Sequence, residues 1–176
     1  MARSPRAWGW HELDPNWARR LVADADLRPG ALVLDVGAGR GSITDALLDA
    51  GARVVAVELH AARARRLEER FGSTVRVVRA DATDLRLPRR PFHVVANPPF
   101  SITAALLRRL LAPGSRLVSA RIVLQHQAAR RWSSPSAPGL GRWGRTFRAE
   151  YGPRVARQAF RPPPRVDGRV LRIDRR

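Results

Sequence analysis

The sequence predicts an α/β fold, a mostly parallel sheet with helices on both faces. Three observations carry that expectation. Short runs rich in valine and leucine alternate with helix-like segments along the first 125 residues, as in strand–helix–strand crossovers. The runs lack a polar face, as strands covered on both sides do. The unusual residues, Asp35 to Gly41, Glu58, Asp81 and Asn97 to Phe100, all fall at the ends of those runs, where open parallel sheets bind ligands.

The elements follow in order. Pro15 to Asp26 reads as an amphipathic helix with Trp17, Leu21 and Val22 on one side, and Arg28-Pro29-Gly30 as a turn. ALVLDVGAGRG is a buried strand running into a glycine turn, and Ser42 to Ala50 is a helix ended near Gly51. ARVVAVEL is the second strand, His60 to Phe71 a charged helix ended near Gly72, TVRVVRAD the third strand and FHVVAN the fourth. Ser101 to Leu111 is a helix stopped at Pro113-Gly114, and SRLVSARIVL is the fifth strand. Beyond Gln125 the pattern weakens. Trp132 to Gly141 (WSSPSAPGLG) reads as a flexible surface loop, with candidate strands at Arg142 to Tyr151 and in RVLRI.

Bulk properties narrow the class. A chain of 176 residues suits one domain with a substantial core. It has no cysteine, and its histidines (11, 60, 93 and 126) show no metal-ligand spacing, so no metal is expected. No stretch approaches the roughly 20 apolar residues of a membrane span, and residues 1–10 lack a signal-peptide core. A soluble, cytoplasmic monomer is the expectation. The net charge is +18, with 33 basic residues, all of them arginine. A lysine-poor codon bias would explain the choice of arginine but not its excess over 15 acids. From Arg121 onward 14 arginines face only Glu150, Asp167 and Asp174. Such an excess points to a polyanion, most often nucleic acid, against the alternative of a merely solvated basic surface.

The strand ends suggest a nucleotide-like ligand. Gly37, Gly39 and Gly41 would let backbone approach a ligand where a helix begins. A dinucleotide fingerprint would need glycine at position 42, where Ser42 stands. Asp35 would sit badly against a pyrophosphate but suits an ammonium group, such as the amino-acid end of S-adenosyl-L-methionine. Glu58 is placed to accept from ribose hydroxyls, and Asp81 to meet an adenine amino group. Each of these acids has a plainer reading as a helix cap; their order along the chain favours a site.

In that order LDVGAGRG, VVAVEL, RADATDL and VVANPPF resemble the S-adenosylmethionine-dependent amino-methyltransferases, whose N/D-P-P-Y/F motif handles an exocyclic amine. WGWHEL, RLPRRPFHVVANPPFSIT, LLAPGSRLV and AFRPPPRVDGRVLRI are similar to the Erm family of 23S rRNA adenine-N6 methyltransferases, relatives of the KsgA-type small-subunit dimethyltransferases. The resemblance spans nearly all of residues 8 to 174. It implies a Rossmann-like class I methyltransferase fold, methyl transfer from S-adenosylmethionine to N6 of an adenine in 23S rRNA, and macrolide, lincosamide and streptogramin B resistance. A KsgA-like 16S rRNA enzyme and a non-catalytic RNA-binding factor are the alternatives.

The resemblance also assigns residues. Asn97 and the Pro98 carbonyl would accept the two N6 hydrogens, and Phe100 would stack on the extruded base. Against this stands a strand ended by prolines, with Phe100 as packing. His11 and Leu13 would cover the cofactor held by Gly37, Gly39, Glu58, Asp81 and Asn97. Phe160 is either a second aromatic wall or plain core. The chain departs from the family at WHEL, where relatives carry Q-N-F-L, and at Val166-Asp167-Gly168, where they carry VDS. A single domain over residues 1–176 is expected, without the relatives' C-terminal helical RNA-binding domain and with the segment from Arg121 onward making RNA contacts.

Overall fold

The computed structural model describes residues 10–176; Trp8 and Gly9 of the WGWHEL stretch lie outside them. Asp14 opens the first helix, its carboxylate accepting from the Asn16 N–H while Pro15 occupies the first turn. The elements are β1 (Glu12–Leu13), α1 (Pro15–Asp24), β2 (Leu32–Val36), α2 (Ser42–Asp49), β3 (Arg53–Val57), α3 (Ala61–Phe71), β4 (Arg76–Val78) and β5 (Phe92–Ala96). They continue with α4 (Thr103–Leu110), β6 (Leu117–Gln125), α5 (His126–Trp132), α6 (Leu140–Trp143), β7 (Phe147–Val155), β8 (Phe160–Arg161) and β9 (Gly168–Arg175).

Seven strands form one sheet in the order β4-β3-β2-β5-β6-β9-β7. The first five are parallel, as the valine-rich runs predicted. β9 runs antiparallel between β6 and β7. The period-2 geometry of a strand splits each apolar run between two cores. Val33, Val95, Val123 and Val170 face the layer of α1, α2 and α3, with Leu21, Leu47 and Leu67. Leu34, Val94, Ile122 and Leu171 face α4, α5 and α6, with Leu106 and Leu107.

The region after Gln125 corrects two expectations. Only residues 133–139 of the expected loop lie between helices, and the segment is packed down at its ends and at Ala137. α5 ends at Trp132, α6 starts at Leu140, and Trp132, Ala137 and Trp143 are buried. The two indoles stack with centroids 6.5 Å apart, and Trp143 Nε1 donates to the Pro138 carbonyl at 2.9 Å. The expected strand at Arg142 to Tyr151 begins instead at Phe147, because Arg142 and Trp143 belong to α6. A two-stranded ribbon of β1 and β8, pairing Leu13 with Phe160, was not anticipated.

An ion cluster ties α1 to the sheet. Arg172 Nε donates to Asp24 Oδ2 at 2.8 Å, and Arg121 donates to the Asp24 carbonyl and to Asp174 Oδ1, both at 3.0 Å. Arg121 is buried, so this first arginine of the basic segment is structural and not a surface contact. The Arg172 hydrogen bond, with further help from Arg121, holds the Asp24 carboxyl below its ordinary range.

Candidate active site

The sheet reverses direction of growth between β2 and β5, since β3 and β4 lie to one side and β6 to the other. A crevice opens at such a switch point, beyond the carboxyl ends of the two strands. β2 delivers Asp35 and the glycine turn to it; β5 delivers Asn97.

The glycines are required by close approach. Gly37 has φ +77, and a Cβ there would lie 3.2 Å from Pro98 Cα and 3.3 Å from Pro99 Cδ. The turn after β2 and the loop after β5 therefore touch, and a side chain at position 37 would push them apart. Gly39 has φ +59, and its Cβ would fall 2.7 Å from Nε1 of Trp10. The Trp10 indole lies on this turn between two guanidiniums, 5.0 Å from Arg63 and 5.6 Å from Arg40.

Two buried carboxylates stand behind the turn. Asp35 accepts from the Thr44 hydroxyl through Oδ2 at 2.6 Å, while its buried Oδ1 has no partner. Burial pushes its carboxyl up to about 7, against the Thr44 hydrogen bond and with a smaller push from Glu58. An unpartnered buried acceptor marks a place where a donor belongs. Glu58 accepts from the Gly39 N–H at 3.0 Å, the His60 N–H at 2.8 Å and Arg63 Nη2 at 3.1 Å. The Gly39 bond fixes Glu58 against the turn, and a carboxylate has about four acceptor positions, leaving capacity for a ligand hydroxyl.

The loop after β5 is anchored through its asparagine. Asn97 Nδ2 donates to the His11 carbonyl at 2.7 Å. A carbonyl only accepts, so this bond commits the amide NH2 and leaves Oδ1 as the free acceptor. Pro98 and Pro99 cannot donate and have restricted φ; Phe100 then opens a short 3₁₀ turn. The Phe100 ring lies 5.9 Å from that of His11, tilted by 33°. His11 in turn holds the Pro162 carbonyl through Nδ1 at 2.7 Å.

His11, Leu13, Gly37, Gly39 and Asn97 thus line one cavity together with Trp10 and Asp35. Its volume is only about 20 Å³, whereas pockets for ligands of nucleoside size begin near ~300 Å³. Trp10 and Leu13 form part of the cavity wall. Asp81 stands apart. It lies beyond the end of β4, exposed, with Oδ1 accepting from the Thr83 N–H and hydroxyl at 2.8 and 2.7 Å. Those bonds, the hydroxyl first, hold its carboxyl below the ordinary range. The helix-cap reading is therefore satisfied at Asp81, and a ligand role there would be additional to it. Phe160 is core: it is fully buried, against Leu13 through the β1–β8 pairing and against Gly168.

Three members of the site escaped sequence reasoning. Thr44 and Arg63 satisfy Asp35 and Glu58 from the helices that follow their strands, nine and five residues later. Trp10, in the stretch from which only His11 and Leu13 were chosen as cover, lies against the glycine turn. The spacing from strand-end acid to the first turns of the next helix was the available signal for Thr44 and Arg63.

Residues 11–176 match the family model described as "Ribosomal RNA adenine dimethylase". An rRNA adenine N-6-methyltransferase of Streptomyces fradiae is 40% identical over 94% of this chain and 56% of its own length. A "Ribosomal RNA small subunit methyltransferase A" of Prosthecochloris aestuarii is 32% identical over 91% of the chain and 64% of its own. The crystal structure of the 23S rRNA methyltransferase ErmE superposes with a TM-score of 0.80 at 30% identity, covering 93% of this chain and 68% of that one. The chain spans a little more than half the length of the Streptomyces relative.

Proposed function

This chain belongs to the ribosomal RNA adenine dimethylase family, and from that premise we propose that it transfers methyl from S-adenosyl-L-methionine to N6 of an adenine in 23S rRNA. The observation that carries the reading is the orientation of Asn97, whose NH2 is committed to the His11 carbonyl. An adenine N6 lone pair is delocalised into the ring, which makes the amine a poor nucleophile. Asn97 Oδ1 and the Pro98 carbonyl accept hydrogen bonds from its two hydrogens, return electron density to N6 and hold it for in-line attack. The proton that N6 loses on gaining the methyl passes to water, since neither oxygen is a base. The two prolines keep that carbonyl in place at little entropic cost. Phe100 receives the extruded base on its ring face. Catalysis is then mainly positioning and electrostatics.

The cofactor supplies an electrophilic methyl group carried on a sulfonium. On this chain Asp35 would hold its ammonium, Glu58 its ribose, Gly37 and Gly39 its backbone-facing edge and Asp81 its adenine, and His11 and Leu13, with Trp10, would cover it. The fit rests on the orphaned, buried Asp35 Oδ1. The enzyme acts as a cytoplasmic monomer on protein-poor rRNA, and N6 methylation in the peptidyl-transferase loop confers macrolide, lincosamide and streptogramin B resistance.

A small-subunit target is the second reading, favoured by the Prosthecochloris relative; the higher identity of the Streptomyces protein and the ErmE likeness favour the large subunit. Labelled S-adenosylmethionine offered with protein-free 23S and 16S rRNA decides between them. Mass-spectrometric mapping should find methyl on N6 of one adenine in 23S. Label confined to 16S would replace this reading with the small-subunit one. RNA binding with no label on either would leave a non-catalytic RNA-binding factor.

A further inference from the structure

A second cavity, of about 480 Å³, lies across the sheet from the Asn97 loop. Gln125 at the end of β6 pairs with Gly168, and Gly168 pairs with Val155 at the end of β7. The cavity therefore opens at the same sheet edge as Asn97, which follows the end of β5. Three inter-strand steps of about 4.8 Å separate β5 from β7, roughly 14 Å in all. That distance corresponds to about four nucleotides stacked at ~3.4 Å each, and fewer when the strand is extended.

Its walls combine an aromatic platform with cations. Tyr151 is 41% exposed, and Val166, 38% exposed, also lines the cavity. They are two of the three exposed large apolar side chains among the described residues. The Arg169 guanidinium lies 4.3 Å from the centroid of the Tyr151 ring. Arg169 Nη1 donates to the Gly152 carbonyl at 3.0 Å, while its buried Nε has no partner. Arg154 donates twice to Asp167, at 2.9 and 2.6 Å, which neutralises the one acid of the cavity. Arg157 and Arg165 complete the rim; Arg157 engages Asp167 through its backbone N–H. An aromatic face beside unneutralised arginines is the chemistry of single-stranded nucleic-acid binding, in which bases stack and phosphates meet cations.

We propose that Tyr151 and Arg169 form a stacking subsite for an unpaired RNA nucleotide a few positions from the target adenine, with Arg157 and Arg165 on the adjoining phosphates. The proposal rests on rRNA being the substrate. An RNA strand leaving the Asn97 loop crosses the end of β6 and reaches this platform, so the subsite fixes which adenine arrives at Asn97.

The test compares wild type with Tyr151→Ala, Tyr151→Phe and Arg165→Ala. Binding of a fluorescent single-stranded RNA and methyl-transfer kinetics on 23S rRNA are both measured, at several salt concentrations. Tyr151→Ala should weaken RNA binding and raise KM for RNA roughly tenfold, in line with the loss of one stacked base, with kcat at saturating RNA unchanged. Tyr151→Phe should restore both values. Arg165→Ala should reduce the salt slope of RNA binding by about 0.7, one single-strand phosphate contact. Wild-type affinity in Tyr151→Ala would overturn the subsite while leaving the methyltransferase reading intact, even if Arg165→Ala binds less tightly. Tyrosine-dependent RNA binding without methyl transfer would keep the subsite and remove the enzymatic reading. A wild-type protein that binds no RNA would remove both.

Discussion

Cofactor binding should depend on pH through Asp35. The side chain is fully buried, one oxygen is held by Thr44 and the other has no partner. Burial pushes the carboxyl up to about 7. At pH 6 only about a tenth of such a group is ionised, and at pH 5 about a hundredth. If the carboxylate faces the ammonium of S-adenosylmethionine, affinity falls roughly tenfold for each pH unit below 7. The plateau extends upward until the ligand's own α-amino group loses its proton near ~8. Calorimetric titration at pH 5, 6 and 7.5 should show this slope in the wild type, and weaker, nearly pH-independent binding in Asp35→Asn. Stability should move the opposite way. Because the folded pKa lies above the unfolded value of about 3.9, the Asp35 contribution is complete below that value and is lost as pH rises through about 7. Asp35→Asn should therefore raise Tm relative to wild type more at pH 8 than at pH 5. Equal wild-type affinity at pH 5 and 7.5 would refute the pairing of Asp35 with the ligand.

Three further outcomes follow from the packing. Gly37→Ala places a methyl 3.2 Å from Pro98 Cα at φ +77; it should cost about 1–2 kcal/mol of stability. Displacing the Asn97 loop should also slow methyl transfer some 10- to 100-fold at saturating cofactor, and an unchanged kcat would remove the catalytic importance of that contact. Trp132→Ala should lose about 3–5 kcal/mol in urea unfolding, whereas a loss below ~1 kcal/mol would return the segment to the surface. Asp24→Asn should cost about 2 kcal/mol at neutral pH by weakening the Arg172 and Arg121 bonds. The folded pKa of Asp24 is depressed, so its contribution is present above the unfolded value near ~3.9 and lost as pH falls through the folded one. The difference between variant and wild type should accordingly vanish in acid, and persistence there would show that packing, not charge, held the cluster.

The sheet up to Gln125 was legible because each strand is a continuous valine- or leucine-rich run, and α2, α3 and α4 end within three residues of Gly51, Gly72 and Pro113. Gly37 and Asn97 could be placed at one cavity because strand ends in a parallel sheet point the same way, with Glu58 behind them on the Gly39 N–H. The segment after Gln125 was not legible. Serines, prolines and glycines dominate Trp132 to Gly141, and their local turn preference hides two indoles held in the core by long-range packing. Phe160 was ambiguous for a related reason: only the β1–β8 pairing, with 146 residues between Leu13 and Phe160, brings it into the core. Arg121 looked like part of a basic surface because charge counting cannot see Asp24, which approaches it from α1. Asp81 lies at the strand end where the sequence put it, but outside the cavity lined by Asn97, and its bonds to Thr83 satisfy the plainer reading of a strand-end acid as a cap.

The most direct measurement is methyl transfer from labelled S-adenosylmethionine to 23S rRNA by wild type and Asn97→Ala, with cofactor and RNA binding measured on the same preparations. Transfer to a single adenine N6 by the wild type, reduced at least 100-fold by the substitution while RNA binding persists, is the expected result. Asn97→Ala retaining wild-type transfer to that adenine would contradict the role assigned to the loop after β5, and with it the central claim.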